Sequence, residues 1–127
     1  MQKALKGKRK KKNLDLLDII IDGIDDLKGE DIVSLDLTEI DEAVADYFVL
    51  CSVDVKVQVK AIADHVVQKV KEKTKETPWH IEGYENSEWV ILDYFDIVVH
   101  IFIKDLREFY QLEDLWHDAK LKEYSSK

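Results

Sequence analysis

Residues 88–103 read EWVILDYFDIVVHIFI, two runs of Val, Ile, Leu and aromatic residues that meet at Phe95-Asp96. Residues of this kind at this density favour extended strands over helix, and two residues between the runs make a hairpin turn. The predicted pairing sets Tyr94 opposite Ile97, Leu92 opposite Val99, Val90 opposite Ile101 and Glu88 opposite Ile103. Side chains alternate along a strand, so Trp89, Ile91 and Asp93 share the other face with Phe102, His100 and Val98. Neither strand has a polar face, and an apolar sheet face must be buried against something.

The rest of the chain supplies cover for one face. Leu14, Leu17, Ile20, Ile21, Ile24 and Leu27 recur at helical spacing behind Asn13, a good N-cap, with Asp15 and Asp18 near the start and Gly29 at the end. Strands are expected over 31–37, 46–53 and 79–83. Between the last two, Asp54 can cap a second helix whose stripe is Val55, Val59, Ile62, Ala63, Val66, Val67 and Val70, ended by KEKTKE and Pro78. DLREFYQLEDLWHDAKL suits one or two short terminal helices. The fold class is therefore α/β: a mixed sheet of about five strands with helices packed on it.

Only two substantial helices are available. If both lie on one side of the sheet, Trp89, Ile91, Asp93, Val98, His100 and Phe102 form a partner-binding patch. If the C-terminal helices fold over those residues, Trp89 and Phe102 are ordinary core. The residues alone leave both readings open.

At 127 residues the chain suits one domain. The expected organisation is a single α/β domain over 13–119, a disordered basic tail over 1–12 and a C-terminal tail over 120–127. Cys51, the sole cysteine, falls in the apolar run YFVLCS, which reads as a buried, inert thiol in a reducing setting. No apolar segment approaches the roughly 20 residues that cross a bilayer, so a cytoplasmic protein without membrane contact is expected.

The net charge of −8 hides an asymmetry. Residues 1–12 hold seven Lys and Arg and no acid, leaving 12 Lys and Arg against 27 Asp and Glu in the rest, a body of −15. Such a body is attracted to basic partners, whereas the tail could touch RNA phosphates. A solvated tail is the simpler meaning of the run.

Catalytic signatures are missing. His65, His80, His100 and His117 have no spacing that sets two on one helix face for a metal. Gly7, Gly23, Gly29 and Gly83 make no phosphate loop, and Ser34, Ser52 and Ser87 lack a nucleophile elbow. Asp93 and Asp96 flank one turn, but a lone carboxylate pair offers a cation too few oxygens. Neither an enzyme nor a cofactor is expected.

DLKGEDIVSLDL, ADYFVLCS, VKAIADHV, EWVILDYFDIVVHIF and REFYQLEDLW, in this order, closely resemble the ribosomal silencing factor family, also called Iojap-like proteins, over roughly residues 14–119. The resemblance implies a nucleotidyltransferase-like fold without catalytic residues, and binding to the large ribosomal subunit through ribosomal protein uL14 so that the small subunit cannot join. It also implies reduced translation under nutrient limitation, homodimers of the free protein in several members, and large-subunit assembly as the role of organellar relatives. Carried over by position, the uL14-facing residues are Trp89, Asp93, Tyr94, Asp96 and His100. Two places depart from the family pattern. Phe95 stands where the family usually has Gly, which suggests a longer turn, and the loop SVDVKVQV lacks the family's Arg, leaving Lys56 as the nearest substitute.

Overall fold

The structure, a computed structural model, describes residues 2–110 and 119–124, with side chains over 11–107 and 119–124. Its elements are α1 (Gln2–Asp26), β1 (Glu30–Asp36), β2 (Tyr47–Val53), α2 (Lys56–Thr74), β3 (His80–Glu82), β4 (Trp89–Asp93), β5 (Ile97–Ile103), α3 (Lys104–Tyr110) and β6 (Lys120–Tyr124). The strands form one sheet in the order β3-β4-β5-β2-β1-β6. The β2–β5 pair is parallel and the other pairs are antiparallel. No helix among the described residues is long and apolar enough to cross a membrane.

Both long helices cover the same sheet face. Leu16, Leu17, Ile20, Ile21 and Ile24 of α1 and Val59, Ile62, Ala63, Val66 and Val70 of α2 close over Val49, Cys51, Val90, Leu92, Val99 and Ile101. Helical spacing on one side and strand alternation on the other bring these residues into one layer. Cys51 lies fully buried there, and burial pushes its thiol up to about 12, so it stays protonated as the sequence suggests.

Four expectations are corrected. Asn13 does not start α1, whose backbone begins at Gln2; Asn13 is buried and its Nδ2 donates to Asp46 Oδ2 at 3.0 Å. The Lys, Arg, Ala and Leu residues before it are good helix formers, so no cap is needed at that point. The C-terminus of α1 is a Schellman turn in which Lys28, at φ 64, and Gly29 donate to Asp25 and Ile24 carbonyls at 3.0 Å each. A Cβ on Gly29 would stand 2.3 Å from Ile24 Cγ2, which explains the glycine.

Asp54 does not cap α2 either. The N-cap is Val55, with no side-chain cap bond, and the Asp54 carboxylate lies 3.1 Å from Lys104 Nζ, which also pairs with Glu30 at 2.9 Å. The sheet has six strands instead of five, because Lys120–Tyr124 within the supposed C-terminal tail pairs with β1 as β6. Tyr124 packs on the helical layer and its hydroxyl meets Ser34 Oγ at 3.0 Å. Of the terminal helices, the first turns are α3; residues 111–118 of that expectation lie outside the described residues.

The hairpin turn is the fourth correction. Phe95 does not lengthen it: Tyr94 N–H donates to Ile97 carbonyl at 2.9 Å and Asp96 N–H to Tyr94 carbonyl at 3.0 Å. The strands keep the predicted register, with Trp89 opposite Phe102, Ile91 opposite His100 and Asp93 opposite Val98. Phe95 meets the geometry by taking φ 72.

Candidate functional site

The sheet face away from α1 and α2 answers the question of cover in two ways. Over β1, β2 and part of β5 it carries a second apolar cluster of Val33, Leu35, Leu37, Ala45, Phe48, Leu50, Val98 and Phe102, with Ile40, Ala43 and Ala119 packed on it. Here α3 packs on β5 and β2, and Arg107 from α3 donates to the Asp31 carbonyl and, at 3.3 Å, to Ser52 Oγ. Phe102 is fully buried and Val98 nearly so. On β4, Trp89 and Ile91 pack against the same cluster but, with Asp93, stay half-buried, alternating with buried Val90 and Leu92.

Trp89 is anchored as well as partly open. Its ring meets Phe102 edge-on, with centroids 4.9 Å apart and planes at 84°, the favoured arrangement for aromatic pairs. Its indole N–H donates to His100 Nδ1 at 3.1 Å. His100 is buried and also packs on Phe48 at 4.9 Å. Burial pushes its imidazole down to about 4, with Asp93 pulling weakly the other way, so the ring is neutral at pH 7. Indole only donates, so Nδ1 must accept and the proton sits on Nε2. Nε2 has no hydrogen-bond partner among the described residues.

The acidic residues of the turn are ordered by the backbone. Asp93 Oδ1 accepts the Phe95 N–H at 2.8 Å, and the Asp96 carbonyl accepts N–H groups from Asp46 at 2.8 Å and Tyr47 at 3.0 Å. Trp89, Asp93 and His100 therefore share one face, with Asp96 at its end. Tyr94 does not join them. Alternation puts it on the helical side, where it is buried in the main core and burial, helped by the Glu76 charge, pushes its phenol up. Sequence reasoning overlooked Trp79, whose backbone N–H donates to the Asp93 carbonyl at 3.0 Å and whose ring stacks on Phe95.

A groove of about 1170 Å³ lies elsewhere, between α2 and the β3–β4 connection, with Ala63, Val67, Ile81 and Leu92 among its lining. Its Tyr84 hydroxyl is tied to Asp64 at 2.8 Å and its ring is covered by Lys60 Nζ at 4.7 Å.

The chain was compared with known proteins. The family model described as ribosomal silencing factor during starvation matches residues 10–127. A ribosomal silencing factor from Halalkalibacterium halodurans is 41% identical over 107 residues, covering 84% of this chain and 90% of its own. A crystal structure of a Chromobacterium violaceum protein superposes with a TM-score of 0.77 at 33% identity, covering 82% of this chain and 85% of its own. A mouse protein named for mitochondrial assembly of the ribosomal large subunit is 33% identical over 73 residues, 56% of this chain and 32% of its own length. By family match, identity and fold together, the chain belongs to the ribosomal silencing factor family, whose members are ribosome-associated regulators of translation.

Proposed function

We propose that the protein acts in the cytoplasm by binding the large ribosomal subunit through ribosomal protein uL14, and that once bound it excludes the small subunit without any catalytic step. The observation that carries this reading is Trp89: a half-buried aromatic ring held edge-on over a buried Phe102, on a face that also carries Asp93. A rigid aromatic beside an acidic rim is what a binding face for a basic protein requires, because the ring supplies desolvated area and the carboxylates supply steering. His100 serves that face by holding the indole, and Asp96 extends it. The partner itself comes from the family resemblance.

The basic segment at 3–12 would add a contact to ribosomal RNA, since seven cations without an acid favour a polyanion. The free protein would pair with a second copy.

Sedimentation with purified subunits tests the reading. The protein should travel with large subunits alone, and saturated large subunits should fail to join small ones. Normal joining at saturation would overturn occlusion. It would leave large-subunit assembly as the better account, a role favoured by the name of the mouse relative.

A further inference from the structure

Where β4 turns into β5, the rings of Trp79 and Phe95 lie one on the other, with centroids 4.7 Å and planes 9° apart. Both stay open to solvent, Trp79 at 59% and Phe95 at 62%. Stacking that served only the core would bury at least one ring. The backbone is strained to place them: φ 72 at Phe95, with a hydrogen bond closing across it from Asp96 N–H to the Tyr94 carbonyl, is a γ-turn geometry that a side-chain-bearing residue rarely takes. Glycine would take it freely. Strain of this kind persists where the surrounding structure enforces it, and it concentrates at binding sites.

The surroundings are acidic. Asp93 and Asp96 flank Phe95 in the turn, Asp93 Oδ1 holds the Phe95 N–H at 2.8 Å, and the Trp79 backbone N–H is bonded to the Asp93 carbonyl at 3.0 Å. Asp93 also belongs to the Trp89 face, four residues along the same strand and so roughly 13 Å away.

We propose that the Trp79–Phe95 pair is a platform for an arginine side chain of the basic partner, with the guanidinium lying flat on the outer face of a ring and donating to the Asp93 or Asp96 carboxylate. A planar cation matches a flat ring and keeps its N–H groups in plane for a carboxylate, which an ammonium does not. A purely apolar partner would draw the negative charge of Asp93 out of water with no countercharge, and a second copy of this chain would bring its own acidic turn against this one. The identity of the partner rests on the reading proposed above; the chemistry of the platform does not.

The test uses the full chain, Trp79→Ala and Phe95→Gly, the second of which removes the ring while relieving the backbone and so should keep or raise Tm. The indole signal of Trp79, assigned by its loss in Trp79→Ala, is followed by NMR during titration with a short Arg-Gly repeat peptide and with its Lys-Gly counterpart. The arginine peptide should shift that signal at several-fold lower concentration than the lysine peptide, and Phe95→Gly should abolish the difference. Equal responses to the two peptides, or none, would overturn the platform. Large-subunit binding is measured in parallel, and each variant should weaken it about three- to fivefold. Wild-type affinity in Phe95→Gly, with Trp89→Ala impaired, would reduce the pair to a turn staple and leave the functional reading standing. An arginine-selective shift without large-subunit binding would preserve the platform and sink that reading instead.

Discussion

The indole N–H of Trp89 donates to Nδ1 of His100 at 3.1 Å, and this one bond fixes the tautomer of a buried imidazole. Burial holds His100 at about 4 in the folded chain, whereas an unfolded histidine titrates near 6.5. Between those values the unfolded chain takes up a proton that the folded chain refuses, so stability rises with pH across the window and is lost as pH falls through it. The loss should approach about 3 kcal/mol by pH 4 and then level off for this group. Urea unfolding from pH 7 to 4 reads it directly. His100→Gln should flatten the profile, and an unchanged slope in that variant would mean that the imidazole is not held neutral.

Trp89→Phe keeps a ring over Phe102 but leaves His100 Nδ1 without its donor. A buried acceptor left unpaired should lower stability by about 1–2 kcal/mol. Trp89→Ala also removes the exposed ring surface, and large-subunit binding should fall at least about tenfold, with Trp89→Phe intermediate. Chemical denaturation and co-sedimentation separate the two effects. Equal affinity in wild type and Trp89→Ala would remove Trp89 from the interface.

Asp93→Asn retains an acceptor for the Phe95 N–H while deleting a charge. Association with large subunits should slow a few-fold at low ionic strength, Tm should hold, and the difference from wild type should fade as salt screens the field. Stopped-flow mixing at several salt concentrations decides it; a salt-independent deficit would point to a local structural role.

Removing residues 1–9 should change Tm by no more than about 2 °C, because among the described side chains burial in α1 begins at Asn13, and Lys12, paired with Glu76 at 3.5 Å, is retained. The salt dependence of large-subunit binding should become shallower if those cations touch RNA.

The hairpin was legible because its information is local. A period of two and a two-residue turn set the whole register, and the same count brings Trp89, Asp93 and His100 to one face. That count also places Tyr94 with Val90 and Leu92, which proximity to the turn obscures. The caps were misread for the opposite reason. Asn13 and Asp54 have the right chemistry for helix starts, but Asp46 and Lys104, distant in sequence, use those side chains instead. The segment KLKEY hid as a strand because its exposed charges are how an edge strand resists unwanted pairing. Trp79 could not be matched with Phe95 before β3 was known to lie beside β4.

The pairing of β6 with β1 joins Ile32 in the first strand to Tyr124 in the last described strand. During synthesis, β1 leaves the ribosome long before its outer neighbour exists, so its outer backbone edge must wait until Lys120–Tyr124 has been made. A chain released early would present that edge, with its unspent hydrogen bonds, to any other extended segment nearby. Those residues thus close the sheet of this translation regulator, and a copy cut before Lys120 is a template for aggregation.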